Sequence, residues 1–225
     1  MAHEVDGVAT KGGEVAASFD GPRDAAALLV LAHGAGGDMD SEFMTTTAHH
    51  LAAAGLGVCR FNFPYSQRGR RSPDPQPVLE DAYRAVVARA AREEPPFLVL
   101  GGKSLGGRIA SHVVAAGVHA DALVFLGYPL HPPGKPERLR DAHLRAIKTP
   151  MLFVEGTRDP FCPLPTLETV RERLSAPTTV AVIDGGDHSL KVPRSSGRST
   201  QDAWAEAAAA TAEWVTQLAA RRQLH

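Results

Sequence analysis

Five short runs of apolar, often β-branched residues recur along this chain: 27–32 (ALLVLA), 97–101 (FLVLG), 122–127 (ALVFLG), 151–155 (MLFVE) and Thr178–Ile183 (TTVAVI). None shows the strict polar–apolar alternation of a strand with one face in water. A run that is apolar at nearly every position is a strand covered on both sides, as in a parallel sheet layered between helices. The intervening segments supply those helices. Residues 41–54 place Phe43, Met44, Ala48, Leu51 and Ala52 at helical spacing, and Gly55 ends the pattern. Helical patterns return at 78–92, 104–116, 163–175 and 199–221. Further strands are read at 57–63 and, as an edge strand, at 14–20. Residues 64–77, rich in Ser, Gly, Pro and Arg, read as loop. Such alternation predicts an α/β fold: a mainly parallel, twisted sheet with helices on both faces. The 225 residues, 44% of them hydrophobic, suit a single domain over 1–225.

Composition narrows the function classes. A formal net charge of -1 provides no basic field for nucleic acid. The longest apolar run, 25–32, falls well short of the roughly 20 residues a membrane helix needs. The opening residues Met1-Ala2-His3-Glu4-Val5-Asp6 lack the basic start and apolar stretch of a secretory leader. Two cysteines, Cys59 and Cys162, are too few for a disulfide framework or a structural zinc site. In a cytoplasmic protein Cys59 is read as a buried strand residue and Cys162 as a loop or core thiol. Neither a metal nor an organic cofactor is expected.

In open parallel sheets, ligand chemistry sits beyond the carboxyl ends of the strands. After the run 97–101 stands Gly102-Lys103-Ser104-Leu105-Gly106-Gly107, a G-x-S-x-G pattern between a strand and a helix. A turn that sharp strains its central residue and pushes the side chain outward, while glycine on either side removes the Cβ atoms that would collide. Ser104 is therefore the candidate nucleophile. The same residues could end a phosphate-binding loop, G-x-x-x-x-G-K-[ST]. That pattern requires glycine at position 97, where this chain has Phe97, and the strand 122–127 leads to Tyr128-Pro129 rather than to a metal-binding aspartate.

A serine hydroxyl needs a base, and on such a sheet the expected chain order is serine, acid, histidine. Residues 151–155 are followed by Gly156-Thr157-Arg158-Asp159, and Thr178–Ile183 by Asp184-Gly185-Gly186-Asp187-His188. His188 would take the proton of Ser104, and Asp159 would hold the imidazole tautomer. Asp184 and Asp187 compete for the acid role, although their nearness to His188 suits turn-capping. The run 27–32 leads into His33-Gly34-Ala35-Gly36-Gly37. This Gly-rich loop would supply one oxyanion-binding amide, Ala35, beside that of Leu105. His33 is expected to hold the loop by hydrogen bonds.

With these residues in place the chain resembles the α/β-hydrolases. Within them it is similar to the branch that includes testis-expressed hydrolase-like proteins and a subunit of a nuclear histone-acetyltransferase complex, whose bacterial members look like dienelactone hydrolases. The likeness covers most of the chain. It includes His33-Gly34-Ala35-Gly36-Gly37-Asp38-Met39 and Gly101-Gly102-Lys103-Ser104-Leu105-Gly106-Gly107-Arg108. Its more specific parts are Tyr128-Pro129-Leu130-His131, Leu139-Arg140-Asp141, and Asp187-His188-Ser189-Leu190 followed by Gly197-Arg198-Ser199-Thr200. The resemblance implies the α/β-hydrolase fold and the Ser104, Asp159, His188 set. Dienelactone hydrolases use a cysteine nucleophile where this chain has Ser104, so that reaction does not carry over.

The resulting expectation is a serine hydrolase of the carboxylesterase or thioesterase kind, acting on a small-molecule acyl substrate through an acyl-enzyme. Residues 128–149 hold room for one short helix only, which predicts a minimal lid and an open site. Seven basic residues are assigned to loops at that sheet edge, Arg68, Arg70, Arg71, Lys103, Arg108, Arg158 and Lys191; they suggest a preference for small or anionic acyl substrates, the plainer alternative being a solvated face with incidental charge. The alternatives are acyl transfer to an acceptor other than water and a non-catalytic interaction module that keeps the fold.

Overall fold

The computed structural model describes residues 4–222; residues 1–3 of the opening stretch weighed above, and 223–225, lie outside it. Along the chain come β1 (Glu4–Val8), β2 (Val15–Asp20), β3 (Leu28–Ala32), α1 (Glu42–Ala53), β4 (Gly57–Phe61), α2 (Pro64–Gln67), α3 (Gln76–Ala90), β5 (Leu98–Lys103), α4 (Leu105–Ala115), β6 (Ala122–Leu126), β7 (Met151–Gly156), α5 (Leu164–Arg171), β8 (Thr178–Ile183) and α6 (Thr200–Arg222). The strands form one sheet in the order β1-β2-β4-β3-β5-β6-β7-β8. From β4 to β8 every pairing is parallel; β1 with β2 and β2 with β4 are antiparallel.

Period-two geometry sends alternate side chains of the apolar runs into two cores. Leu28, Val30 and Ala32 of β3 join the layer that holds Tyr83 and Val86 of α3 and Ile109 and Val113 of α4. Leu29 and Leu31 enter the opposite layer, with Phe43 and Leu51 of α1 and Trp204, Ala208 and Val215 of α6. Fully burying each such aliphatic side chain contributes roughly 1.5–3 kcal/mol. The central strands β3, β5 and β6 are therefore the most costly part of the sheet to open. One charged residue interrupts a run: Arg60 in β4 is 1% exposed. Its guanidinium meets Asp20 at 2.9 Å and donates to the carbonyl of Met39. Burial is thereby matched by charge pairing, as it must be for an ion inside a protein.

Two local readings are corrected, at β2 and at residues 64–77. The strand read at the sheet edge, β2, is covered by β1, which the sequence reading missed. In β1 only Val8 is buried among residues 5–8, and Val5 is 54% exposed, so no continuous apolar signal marks it. The stretch read as loop from 64 to 77 opens with the single helical turn α2, where Pro64 stands at the first helical position. The segment after β6 contains a short 3₁₀ turn, Ala142–Ala146, and no larger cap over the sheet. Both cysteines are buried and unpaired. Among the described residues no helix is long and apolar enough to cross a membrane.

Candidate active site

The nucleophile turn is built by steric exclusion. Register pairs Ala32 of β3 with Gly102 of β5. A Cβ on Gly102 would lie 2.5 Å from the Ala32 carbonyl oxygen, and a Cβ on Gly106 would lie 2.3 Å from the same atom. With both absent, the start of α4 settles onto the end of β3 and the chain reverses within one residue. That residue is Ser104, at φ 49° and ψ -110°. A side chain at positive φ is strained by roughly 1–3 kcal/mol and persists only where its surroundings over-determine it. Here they do: the Ser104 N–H donates to the Leu126 carbonyl at 3.1 Å, and its own carbonyl accepts from Arg108 at 3.0 Å.

Ser104 Oγ lies 2.8 Å from Nε2 of His188, and Nδ1 of His188 lies 2.7 Å from Oδ2 of Asp159. Asp159 is 4% exposed. Its other oxygen, Oδ1, accepts the Phe161 N–H at 2.7 Å. Both oxygens thus face donors, which fixes Nδ1 as the protonated nitrogen and leaves Nε2 with a lone pair toward the serine. Strand ends supply all three groups, and backbone packing brings their loops together. Gly156, closing β7, lets the loop after β8 lie flat across it, because a Cβ there would sit 2.1 Å from the Gly186 carbonyl oxygen. Asp187 then caps the histidine turn, its Oδ1 accepting the N–H groups of Ser189 at 2.7 Å and Lys191 at 3.0 Å. The indole of Trp204 on α6 donates to the Ser189 carbonyl at 2.9 Å. The ring of Phe161 packs edge-on against His188, with centroids 4.7 Å apart. Asp187 is therefore occupied as a turn cap. Asp184 accepts from the Thr157 hydroxyl.

The loop after β3 is anchored with equal care. His33 Nδ1–H donates to the Gly34 carbonyl at 2.8 Å, and Nε2 accepts the Phe63 N–H at 3.1 Å. Burial lowers the His33 pKa, which keeps the ring neutral for this double role. Ser66 binds the carbonyl of Gly37, and Asn62 accepts the Met39 N–H. Ala35 and Leu105, the residues expected to offer oxyanion-binding amides, line the same cleft as Ser104 and His188, a space of about 500 Å³. A second cavity of about 350 Å³ lies at the other end of the parallel strands, between Phe19, Arg89 and Pro96, and holds none of these residues.

Other polar neighbours were not legible beforehand. Glu155, one strand position before Gly156, is fully buried, and its Oε1 accepts the Tyr128 N–H at 2.7 Å. Burial holds its carboxyl well above the ordinary range, so it stays protonated and adds no second charge beside Asp159. Burial likewise pushes the Cys162 thiol up, which keeps it from acting as a thiolate. Of the seven basic residues assigned to this edge, only Lys103 and Arg108 line the cleft. Arg68 and Arg70 instead share Asp74. Arg140, not among the seven, lines the cleft from the segment after β6. No group of three or more metal-ligating side chains occurs among the described residues.

Chemically, the arrangement offers a strained hydroxyl at a helix N-terminus, a base in contact with it and an oriented acid behind the base. An alpha/beta hydrolase domain family model matches residues 25–216. Among solved structures, an α/β serine hydrolase without a lid from Xanthomonas campestris is similar at 20% identity, with 96% of each chain covered and a TM-score of 0.73. A dienelactone hydrolase from Anabaena variabilis is 18% identical, with 96% of this chain and 97% of that one covered and a TM-score of 0.78. An α/β serine hydrolase homologue from Coxiella burnetii is 21% identical, covering 84% of this chain and 90% of that one, with a TM-score of 0.70. At such identities the likeness is one of fold.

Proposed function

This chain belongs to the alpha/beta hydrolase domain family, and from that premise we propose that it is a serine hydrolase cleaving ester or thioester bonds of small acyl substrates. One observation carries the reading: the unbroken relay from Ser104 Oγ through the imidazole of His188 to the buried carboxylate of Asp159, open to a cleft. Ser104 Oγ attacks the acyl carbon as His188 Nε2 removes its proton. The carbonyl oxygen becomes an oxyanion held by the Ala35 and Leu105 amides, an interaction that typically lowers the barrier by about 3–4 kcal/mol per donor. Asp159 stabilises the imidazolium. Nε2–H then protonates the departing alkoxide or thiolate, leaving an acyl-serine. Water, deprotonated by the same nitrogen, releases the acid and restores the hydroxyl.

Likeness to the Xanthomonas serine hydrolase and the Coxiella serine hydrolase homologue supports the reaction class. We also place the chain in the testis-expressed branch. In support, Pro129, His131, Arg140, His188 and Ser189, all from the segments specific to that likeness, gather at the cleft. A fluorophosphonate probe tests the reaction. Wild-type protein should label stoichiometrically at Ser104, and Ser104→Ala should not label at all. A folded wild type that resists the probe would leave a scaffold rather than an enzyme.

A further inference from the structure

The charge in the cleft is unbalanced. Three basic side chains line it, Lys103, Arg108 and Arg140, against one carboxylate, Asp74. Asp74 is already engaged by Arg68 at 2.9 Å and by Arg70. Lys103 directs its ammonium away, 5.5 Å from the ring centroid of Phe43 on α1. Arg108 and Arg140 remain. Among the described residues neither guanidinium meets a carboxylate, whereas Arg60, Arg84, Arg89, Arg145 and Arg171 each do. Arg108 donates only to the neutral amide oxygen of Gln76, at 3.0 Å. The nearby carboxylate of Glu80 is taken up by Gln76 at 2.8 Å and Arg84 at 3.4 Å.

Both arginines are partly buried. Desolvation lowers the pKa of each, and the positive charge of Arg108 lowers that of Arg140 further. Both line the same cleft, where two withdrawn like charges with no partner carboxylate are costly and a bound anion would offset that cost. Position relates the pair to the reacting hydroxyl. Arg108 follows Ser104 by four residues of α4, about 6 Å along the axis. Helical side chains lean toward the N-terminus, so its stem leans back toward the serine. Arg140 approaches from the segment after β6, where its N–H is tied to the Leu130 carbonyl at 2.6 Å.

We propose that Arg108 and Arg140 form a carboxylate-binding subsite, and that the substrates are esters or thioesters carrying a carboxylate a few bonds from the scissile carbonyl, such as monoesters of small dicarboxylic acids. This rests on the hydrolase reading above and adds to it the chemical class of the substrate. Each guanidinium presents a planar fork of donors that matches a carboxylate. A neutral acyl chain of the same length leaves both forks unfilled, and discrimination follows from that difference.

The test uses two pairs of esters, the first sharing its leaving group and the second its acyl group. 4-Nitrophenyl hydrogen glutarate is compared with 4-nitrophenyl valerate, placing the charge on the acyl side. 4-Acetoxybenzoate is compared with its methyl ester, placing it on the leaving side. In at least one pair the charged ester should be favoured tenfold or more in kcat/KM. That ratio should shrink as salt rises from 20 to 500 mM, and fall about tenfold in Arg108→Gln and in Arg140→Gln. Arg145→Gln, whose side chain pairs with Asp141 instead, should keep the wild-type ratio. Equal or better turnover of the neutral ester in both pairs, or a ratio that survives both substitutions, overturns the subsite. Fluorophosphonate labelling separates the two readings: protein that labels at Ser104 yet shows no charge preference loses the subsite alone. Should folded wild type fail to label, the hydrolase reading fails. Calorimetric binding of glutarate then decides the subsite, expected for wild type and at least tenfold weaker in Arg140→Gln; no binding to wild type overturns it.

Discussion

Replacing Asp159 by asparagine tests the relay with little change of shape. Asp159 gives one oxygen to His188 Nδ1 and the other to the Phe161 N–H, each at 2.7 Å. Asparagine has only one acceptor oxygen for these two donors. The Phe161 backbone cannot change its donor, but an imidazole can change tautomer. The favoured arrangement turns the amide oxygen to Phe161 and the NH₂ group to Nδ1, which moves the ring proton to Nε2. Ser104 Oγ, 2.8 Å away, then faces a donor where it needs a base. A wrong tautomer of this kind typically lowers kcat by about 10⁴, or about 5 kcal/mol of transition-state stabilisation. The fold should scarcely notice, because a buried charge is lost while both hydrogen bonds at position 159 are kept; a net change under about 1 kcal/mol keeps Tm within about 4 °C. Hydrolysis of 4-nitrophenyl acetate and the rate of fluorophosphonate labelling measure the first effect, and thermal melting the second. Asp187→Asn retains its turn-capping oxygen and should cost tenfold or less. Activity of Asp159→Asn within tenfold of wild type, or an equal loss in Asp187→Asn, would refute the assignment.

Two other perturbations follow from the geometry. Gly106→Ala places a Cβ 2.3 Å from the Ala32 carbonyl oxygen. The helix start must retreat by nearly an ångström, at a cost of about 1–3 kcal/mol. Tm should fall by several degrees and labelling of Ser104 by on the order of 100-fold; an unaltered labelling rate would contradict the packing argument. His143 has its pKa lowered to about 3, first by burial and then by the charges of His112 and Arg108. The unfolded chain therefore binds a proton near pH 6.5 that the folded one refuses until about pH 3, so stability should fall as pH drops through that window. Urea unfolding from pH 7 to pH 3 should show a shallower acid decline in His143→Gln, and an identical decline would disprove the role of this residue.

The parts of the molecule visible in the sequence are those where one local pattern decides the outcome. Continuous apolar runs announce β3, β5, β6 and β7, and strand-end motifs then place Ser104, Asp159 and His188 in order. Where partners meet through irregular backbone, no period carries the information. Arg68 and Arg70 look like free cations until the loop folds and offers them Asp74. Arg140 lies in a proline-rich stretch with no regular spacing, so nothing along the chain points it into the cleft. Glu155 reads as the polar end of a strand, and only the packed sheet reveals it as a buried neutral acid. The strand β1 is too polar to stand out before its partner β2 is known.

The bond from the Trp204 indole to the Ser189 carbonyl ties a chromophore on the far side of the sheet to the residue that follows His188. Indole emission responds to the polarity and hydrogen bonding of its N–H, and that group is committed to the histidine turn. The chain thus carries its own optical reporter: a movement that carries Ser189 away from the indole shifts the tryptophan spectrum without any added dye.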